Sequence, residues 1–184
     1  MIVIAIDPGN TESAVVCIDE FYRPQYAEKL ANPAALNKAK ELVLMPIASG
    51  LDAFVALEQV SHYGTGMPAG RTVFDTCLWS GRFIQGILDV FDGSFLLADV
   101  KDKFSEGSIH MIGRKEYVAD LCGSSRARDA NIIQYLIDRF APDTPNRGKG
   151  TKKDPGWFYG FKADVWQAYA LAVYEMDRLK NGGK

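Results

Sequence analysis

Met1-Ile-Val-Ile-Ala-Ile-Asp-Pro-Gly-Asn-Thr-Glu-Ser-Ala-Val-Val-Cys-Ile-Asp19 is the stretch whose reading decides the fold. Two apolar runs, Ile2–Ile6 and Ala14–Ile18, flank a Pro-Gly-Asn turn, which predicts a strand, a tight turn and a returning strand. Asp7 falls where the first strand ends. A strand end holds a carboxylate rigidly, as a metal ligand requires, and Gly9 lets the backbone fold closely around a bound group. A solvated turn aspartate is the plain alternative, because Asp is common in turns. Two acids further along, Glu58 and Asp164, stand in matching contexts and favour the first reading.

The chain has 184 residues, 47% hydrophobic and 24% charged, which predicts one well-buried domain over residues 1–184. No run of eighteen apolar residues offers a membrane span, and strand-like sequence right after Met1 argues against a secretory leader. Cys17, Cys77 and Cys122 are odd in number, widely spaced and set among apolar neighbours. They read as buried, reduced thiols of a cytoplasmic protein. The net charge of −2 conceals an asymmetry. Residues 1–99 carry 6 Lys+Arg against 12 Asp+Glu, and residues 100–184 carry 15 against 11. Carboxylates gathered in one place and cations in another are compatible with holding a metal while touching phosphates.

Beyond the opening hairpin, Phe21–Leu30 predicts a third, more polar strand at a sheet edge. Asn32-Pro33 marks a helix start, with Asn as cap, and Pro46 and Gly50 its stop. Ala53–Glu58 reads as a buried strand, and a glycine-rich loop, Ser61–Thr72, leads to a helix over Val73–Phe91. The apolar side of that helix is Phe74, Leu78, Phe83, Ile84, Ile87 and Leu88. Ser94–Ala98 and Ser108–Ile112 are candidate strands joined by a polar connection. Helices are expected over Arg114–Leu121, Arg128–Phe140 and Lys162–Leu179, with an aperiodic stretch from Ala141 to Gly160. Strands first, then strands alternating with helices, imply an α/β layer fold.

Asp7 ends the first strand, Glu58 ends a central strand, and Asp164 opens the last helix. Three carboxylates converging on one point repel each other unless a cation compensates. Such hard oxygen donors suit Mg²⁺ or Mn²⁺, and the matching chemistry is metal-assisted phosphodiester hydrolysis. Unrelated roles for Glu58 and Asp164, as a strand-end acid and a helix first-turn acid, stay open on spacing alone.

Ile6-Asp-Pro-Gly-Asn10, Leu57-Glu-Gln-Val60 and Asp164 with Ala170-Leu-Ala-Val173 resemble the RuvC family of Holliday junction resolvases, in the ribonuclease H-like superfamily. The blocks and their spacing cover nearly the whole chain. Phe74–Gly86, with Gly81-Arg82, and Lys115–Ile132 resemble further family segments. Arg126-Ala-Arg-Asp-Ala-Asn131, Ile137-Asp-Arg-Phe140 and Gly150-Thr-Lys-Lys-Asp-Pro-Gly156 resemble its phage and prophage branch. The resemblance implies a mixed sheet of about five strands flanked by helices. It also implies Asp7, Glu58 and Asp164 as catalytic metal ligands for Mg²⁺ or Mn²⁺, branched DNA as substrate, and a homodimer. The family usually carries two acids, or a His and an Asp, three residues apart on the last helix. Here Gln167 holds the second position, as a ligand that adds no charge; Asp129 and Asp138 are candidate substitutes, with helix-surface roles the favoured reading of both.

The loop after Glu58 would lie beside the metals, with Tyr63 as the aromatic wedge that the resemblance implies, Arg71 at its end, and His62 as a phosphate contact or a structural residue; a flexible surface loop is the equal alternative. Lys115, Arg126 and Arg128 belong to the basic segment. Arg147, Lys149, Lys152, Lys153 and Lys162 are interleaved with Trp157, Phe158, Tyr159 and Phe161, and cations with stacking rings predict a DNA-binding element. The competing functions are a nuclease for RNA–DNA hybrids or flaps, a nuclease-dead DNA-binding module, and an actin-like ATPase. Asp7-Pro-Gly-Asn-Thr11 loosely fits the ATPase's opening, but the chain is too short for its two lobes.

Overall fold

Alternation of side chains along the first strands sends every second apolar residue to opposite faces of one sheet. The computed structural model describes residues 1–61, 69–93 and 109–182. The strands are β1 (Ile2–Asp7), β2 (Glu12–Asp19), β3 (Pro24–Ala31), β4 (Ala53–Gln59) and β5 (Ile109–Gly113). They lie in the order β3-β2-β1-β4-β5, with β1 antiparallel to β2 and parallel to β4. The remaining pairs are β2 antiparallel to β3 and β4 parallel to β5. The more polar third strand is indeed at the edge. Helices α1 (Asn32–Ala48), α2 (Arg71–Gly93), α3 (Arg114–Cys122), α4 (Asp129–Phe140) and α5 (Val165–Lys180) flank the sheet.

Ile4, Ile6, Val15, Val55 and Leu57 face α1 and α2, where they meet Ala39, Val43, Phe83 and Ile87. Val3, Ala5, Ala14, Val16 and Ala56 face the other way, toward α3, α4 and α5. Ala5, Ala14 and Ala56 on the sheet share this core with Ala168 and Ala172, which lie on one face of α5, all fully buried. Small residues on both sides let the helix lie close to the sheet. Helix α5 is accordingly buried almost all round, which explains its nearly unbroken apolar run. Among the described residues, no helix is long and apolar enough to cross a membrane.

Several local expectations are corrected. Pro46 lies inside the last turn of α1, and the helix ends two residues beyond it. Asn32 does not cap α1; its side chain is fully buried and turned to the β1–β2 turn. The apolar side of α2 divides, with Phe83 and Ile87 buried while Phe74 and Leu78 are 64% and 57% exposed. Of the cysteines only Cys17 is buried; Cys77 is exposed and Cys122 is between the two. The candidate strand Ser94–Ala98 and the connection after it lie outside the described residues.

Candidate active site

The register builds the site. Lys29 pairs with Ala14, and Ala14 with Asp7. Ile6 pairs with Leu57, so one step further along Asp7 stands beside Glu58, which in turn pairs with Ile112. Lys29, Ala14, Asp7, Glu58 and Ile112 therefore form one row across the sheet on the face that α5 covers. The first residues of α5 bring Asp164 over this row.

The turn that ends β1 is locked from within. Asn32 Nδ2 donates to the Gly9 carbonyl at 3.0 Å, the Ser13 hydroxyl donates to Asn32 Oδ1 at 2.7 Å, and the Gly9 N–H donates to Ser13 Oγ at 3.2 Å. A Cβ on Gly9 would come within 2.2 Å of the Glu12 carbonyl oxygen, so no other residue fits without moving the turn. The turn that follows Asp7 is thereby held by a closed hydrogen-bonded ring.

Asp7, Glu58, Ser61, Thr76 and Arg114 line a cleft of about 190 Å³. Burial, and then the charges of Glu58 and Asp164, raise Asp7 well above the usual carboxylate range. Burial likewise raises Glu58, against opposing contributions from Tyr117 and Arg114. The Tyr117 hydroxyl donates to Glu58 Oε2 at 2.8 Å, and Arg114 Nη1 donates to Tyr117 Oη at 3.1 Å. Arg114 Nη2 also pairs with Asp129. Burial and the Glu58 charge push the Tyr117 phenol far up, so it remains a donor at neutral pH. Asp164, with its side chain 49% exposed, is turned to Lys29, whose Nζ lies 2.7 Å from its Oδ2 and 3.7 Å from Glu12. Gln167, one turn on, is 8% exposed.

Among the described residues, no three His, Cys, Asp or Glu side chains stand close enough to hold an ion in this conformation. The chemistry of the donors still fits a hard divalent cation. Asp7 and Glu58 are adjacent, mutually repelling and all-oxygen, and the charge of Asp164 acts on both while its carboxylate is engaged by a lysine.

The expected DNA-contacting residues divide. Tyr63 and His62 lie outside the described residues. Arg71 opens α2 with its side chain 93% exposed. Lys115 and Arg126 line a second groove of about 280 Å³, which Arg114 also lines, and Arg128 is exposed at the start of α4. Arg147, Lys149, Lys152, Lys153 and Lys162 make no ion pair among the described residues. The loop carrying the first four is tightly wound, with positive φ at Asn146, Arg147, Gly148 and Gly150. The rings interleaved with them are not a free stacking surface. Phe158 and Phe161 are in the core, packed on Trp166 and Tyr169. Trp157 stacks on Phe140 and donates its indole N–H to the Tyr169 hydroxyl, leaving Tyr159 as the exposed ring. Phe140 also meets Tyr22, at the end of the sheet opposite Asp7, which separates Trp157 from the carboxylates. Of the possible substitute acids, Asp129 is tied to Arg114, and Asp138 accepts from Gln134 on the surface. Sequence reading missed Lys29, Arg114 and Tyr117.

A five-stranded mixed sheet in this order, flanked by helices on both faces, is a RuvC-like, ribonuclease H-like α/β fold. Two solved structures share it over the full chain. One, the RuvC structure of Thermus thermophilus, has a TM-score of 0.59 at 15% identity, covering 100% of this chain and 98% of that one. The other, T. thermophilus RuvC in complex with Holliday junction substrate, has a TM-score of 0.61 at 14% identity, covering 100% and 97%. No family profile and no curated protein matches the sequence.

Proposed function

We propose that this chain is a divalent-cation-dependent endonuclease acting on branched DNA, most simply a Holliday junction resolvase working as a homodimer. The observation that carries the reading is the adjacency of Asp7 and Glu58, half-buried and raised, at the end of two parallel strands of a RuvC-like fold. A relative by fold, T. thermophilus RuvC, is known with a Holliday junction bound, which supports the choice of substrate. Mg²⁺ or Mn²⁺ held by Asp7, Glu58 and Asp164 would supply an activated water and charge neutralisation at the phosphodiester. Asp7 is presented by its locked turn, and Glu58 is oriented by Tyr117. Asp164 would complete the ligand set on leaving Lys29. Gln167 offers an amide oxygen in place of a fourth charge. Exposed cations on the loop between α4 and α5 hold the DNA backbone, and hydrolysis leaves a 5′ phosphate, as the resemblance implies.

A nuclease-dead DNA-binding module is the second reading, favoured by Gln167 and by the lysine that occupies Asp164. Labelled four-way junctions, flaps and RNA–DNA hybrids, incubated with and without Mg²⁺, separate the readings. The proposal expects cutting of the junction that is abolished by Asp7→Asn, Glu58→Gln or Asp164→Asn while junction binding survives. Near-normal cutting by two of the three variants would remove the site assignment. Binding without cutting by the unaltered protein would establish the second reading.

A further inference from the structure

Among the described residues, Arg114 is the cationic side chain in the wall of the carboxylate cleft, and it also lines the neighbouring groove with Lys115, Ser125 and Arg126. It therefore stands where a basic track meets the acids. Its placement follows from the fold: α3 begins directly after β5, and the pairing of Glu58 with Ile112 brings that junction beside Glu58. The guanidinium is held from two sides, by Tyr117 Oη and by Asp129. The Asp129 side chain is 66% exposed, so this pairing is screened by water and readily exchanged. A guanidinium has five N–H donors in a fixed fork, and these two partners leave some of them unused.

A cleft walled by carboxylates repels the phosphodiester it must receive, and a fork matched to two oxygens offsets that repulsion with defined geometry. We infer that Arg114 grips the phosphate of the strand to be cut, exchanging Asp129 for two of its oxygens; this rests on the nuclease reading above. Tyr117 then serves both partners, holding the guanidinium with its lone pairs and Glu58 with its proton. The arginine touches substrate, and the tyrosine positions.

Two measurements test this on the full-length protein. In chelator, binding of a four-way junction is followed against salt; Arg114→Ala should lower the slope of log K on log salt by about 1, one phosphate contact fewer. With Mg²⁺, single-turnover cleavage should fall about 100-fold or more in Arg114→Ala, the usual loss of a donor aimed at developing charge. Arg114→Lys keeps the charge, and so the slope, but still cuts at least about 10-fold more slowly. Should Arg114→Ala fail to fold in a melting test, the lysine variant decides: a wild-type rate overturns the inference. A rate loss in the alanine variant with an unchanged salt slope also overturns it, since the arginine would then act only through Tyr117 and Glu58. If the unaltered protein cuts no substrate, the nuclease reading falls, and the salt slope still decides whether Arg114 meets a phosphate.

Discussion

Asp7 carries an electrostatic cost that the rest of the cleft only partly relieves. Its carboxyl is raised above the ordinary 3.8 by burial first, and then by Glu58 and Asp164. The folded protein therefore keeps this proton to a higher pH than the unfolded chain does. Stability from this group is fully present below the unfolded value and is lost as pH rises through the folded one. In chelator, the melting temperature should fall between acid and neutral pH for this reason. Asp7→Asn should flatten that decline and make the protein more stable at pH 8, by about 1.4 kcal/mol for every tenfold by which the fold weakens this acid. An Asn variant with an unchanged pH profile would mean the carboxylate is well solvated after all. Strand ends and helix starts are local signals, so Asp7, Glu58 and Asp164 are legible in the sequence. Lys29 enters only through the register of two hairpins, and Arg114 and Tyr117 only through how α3 docks, which no local pattern encodes.

At the scale of elements, α4 and α5 are clamped at the end of the sheet far from the carboxylates. Arg139 donates to both oxygens of Asp177, at 2.6 and 2.8 Å, and the Tyr22 hydroxyl donates to it at 2.6 Å. Burial alone would raise Asp177, but the hydrogen bonds from Arg139 and Tyr22 outweigh it and hold its carboxyl below 3.8. This contribution is present above the unfolded value and is lost as pH falls through the folded one. Asp177→Asn should cost about 1–3 kcal/mol at pH 7 and progressively less in acid, read by denaturant unfolding at several pH values. An equal loss at every pH would show that packing, not charge, is what Asp177 provides. The elements themselves are largely legible, because the period of apolar residues changes clearly between strand and helix. What the period leaves open is the fate of apolar residues in irregular chain. Phe158 and Phe161 read as a stacking surface beside lysines, yet a loop wound so tightly that a Cβ on Gly148 would meet the Phe158 ring turns them into the core.

Across the whole molecule, α2 presents Phe74, Cys77 and Leu78 outward on adjoining turns. We propose that this stripe joins two copies, since cutting two strands of a junction symmetrically asks for two equivalent sites. Leu78→Asp should convert a sedimenting dimer into a monomer with an unaltered circular dichroism spectrum; wild-type protein that is monomeric with and without junction would end the dimer proposal. Helix α5 has a consequence of another kind, for synthesis on the ribosome. The face of β1 and β2 it covers is made first, while its own residues emerge much later; the bond between Tyr22 and Asp177 spans 155 positions. At the usual elongation speed of about 5–20 residues per second, Val3, Ala5 and Val16 wait on the order of ten seconds in water or on a chaperone for their cover. Asp164 emerges immediately ahead of that cover. The event that closes the core is thus also the one that completes the acidic cluster, and a half-made chain carries only two of its three carboxylates.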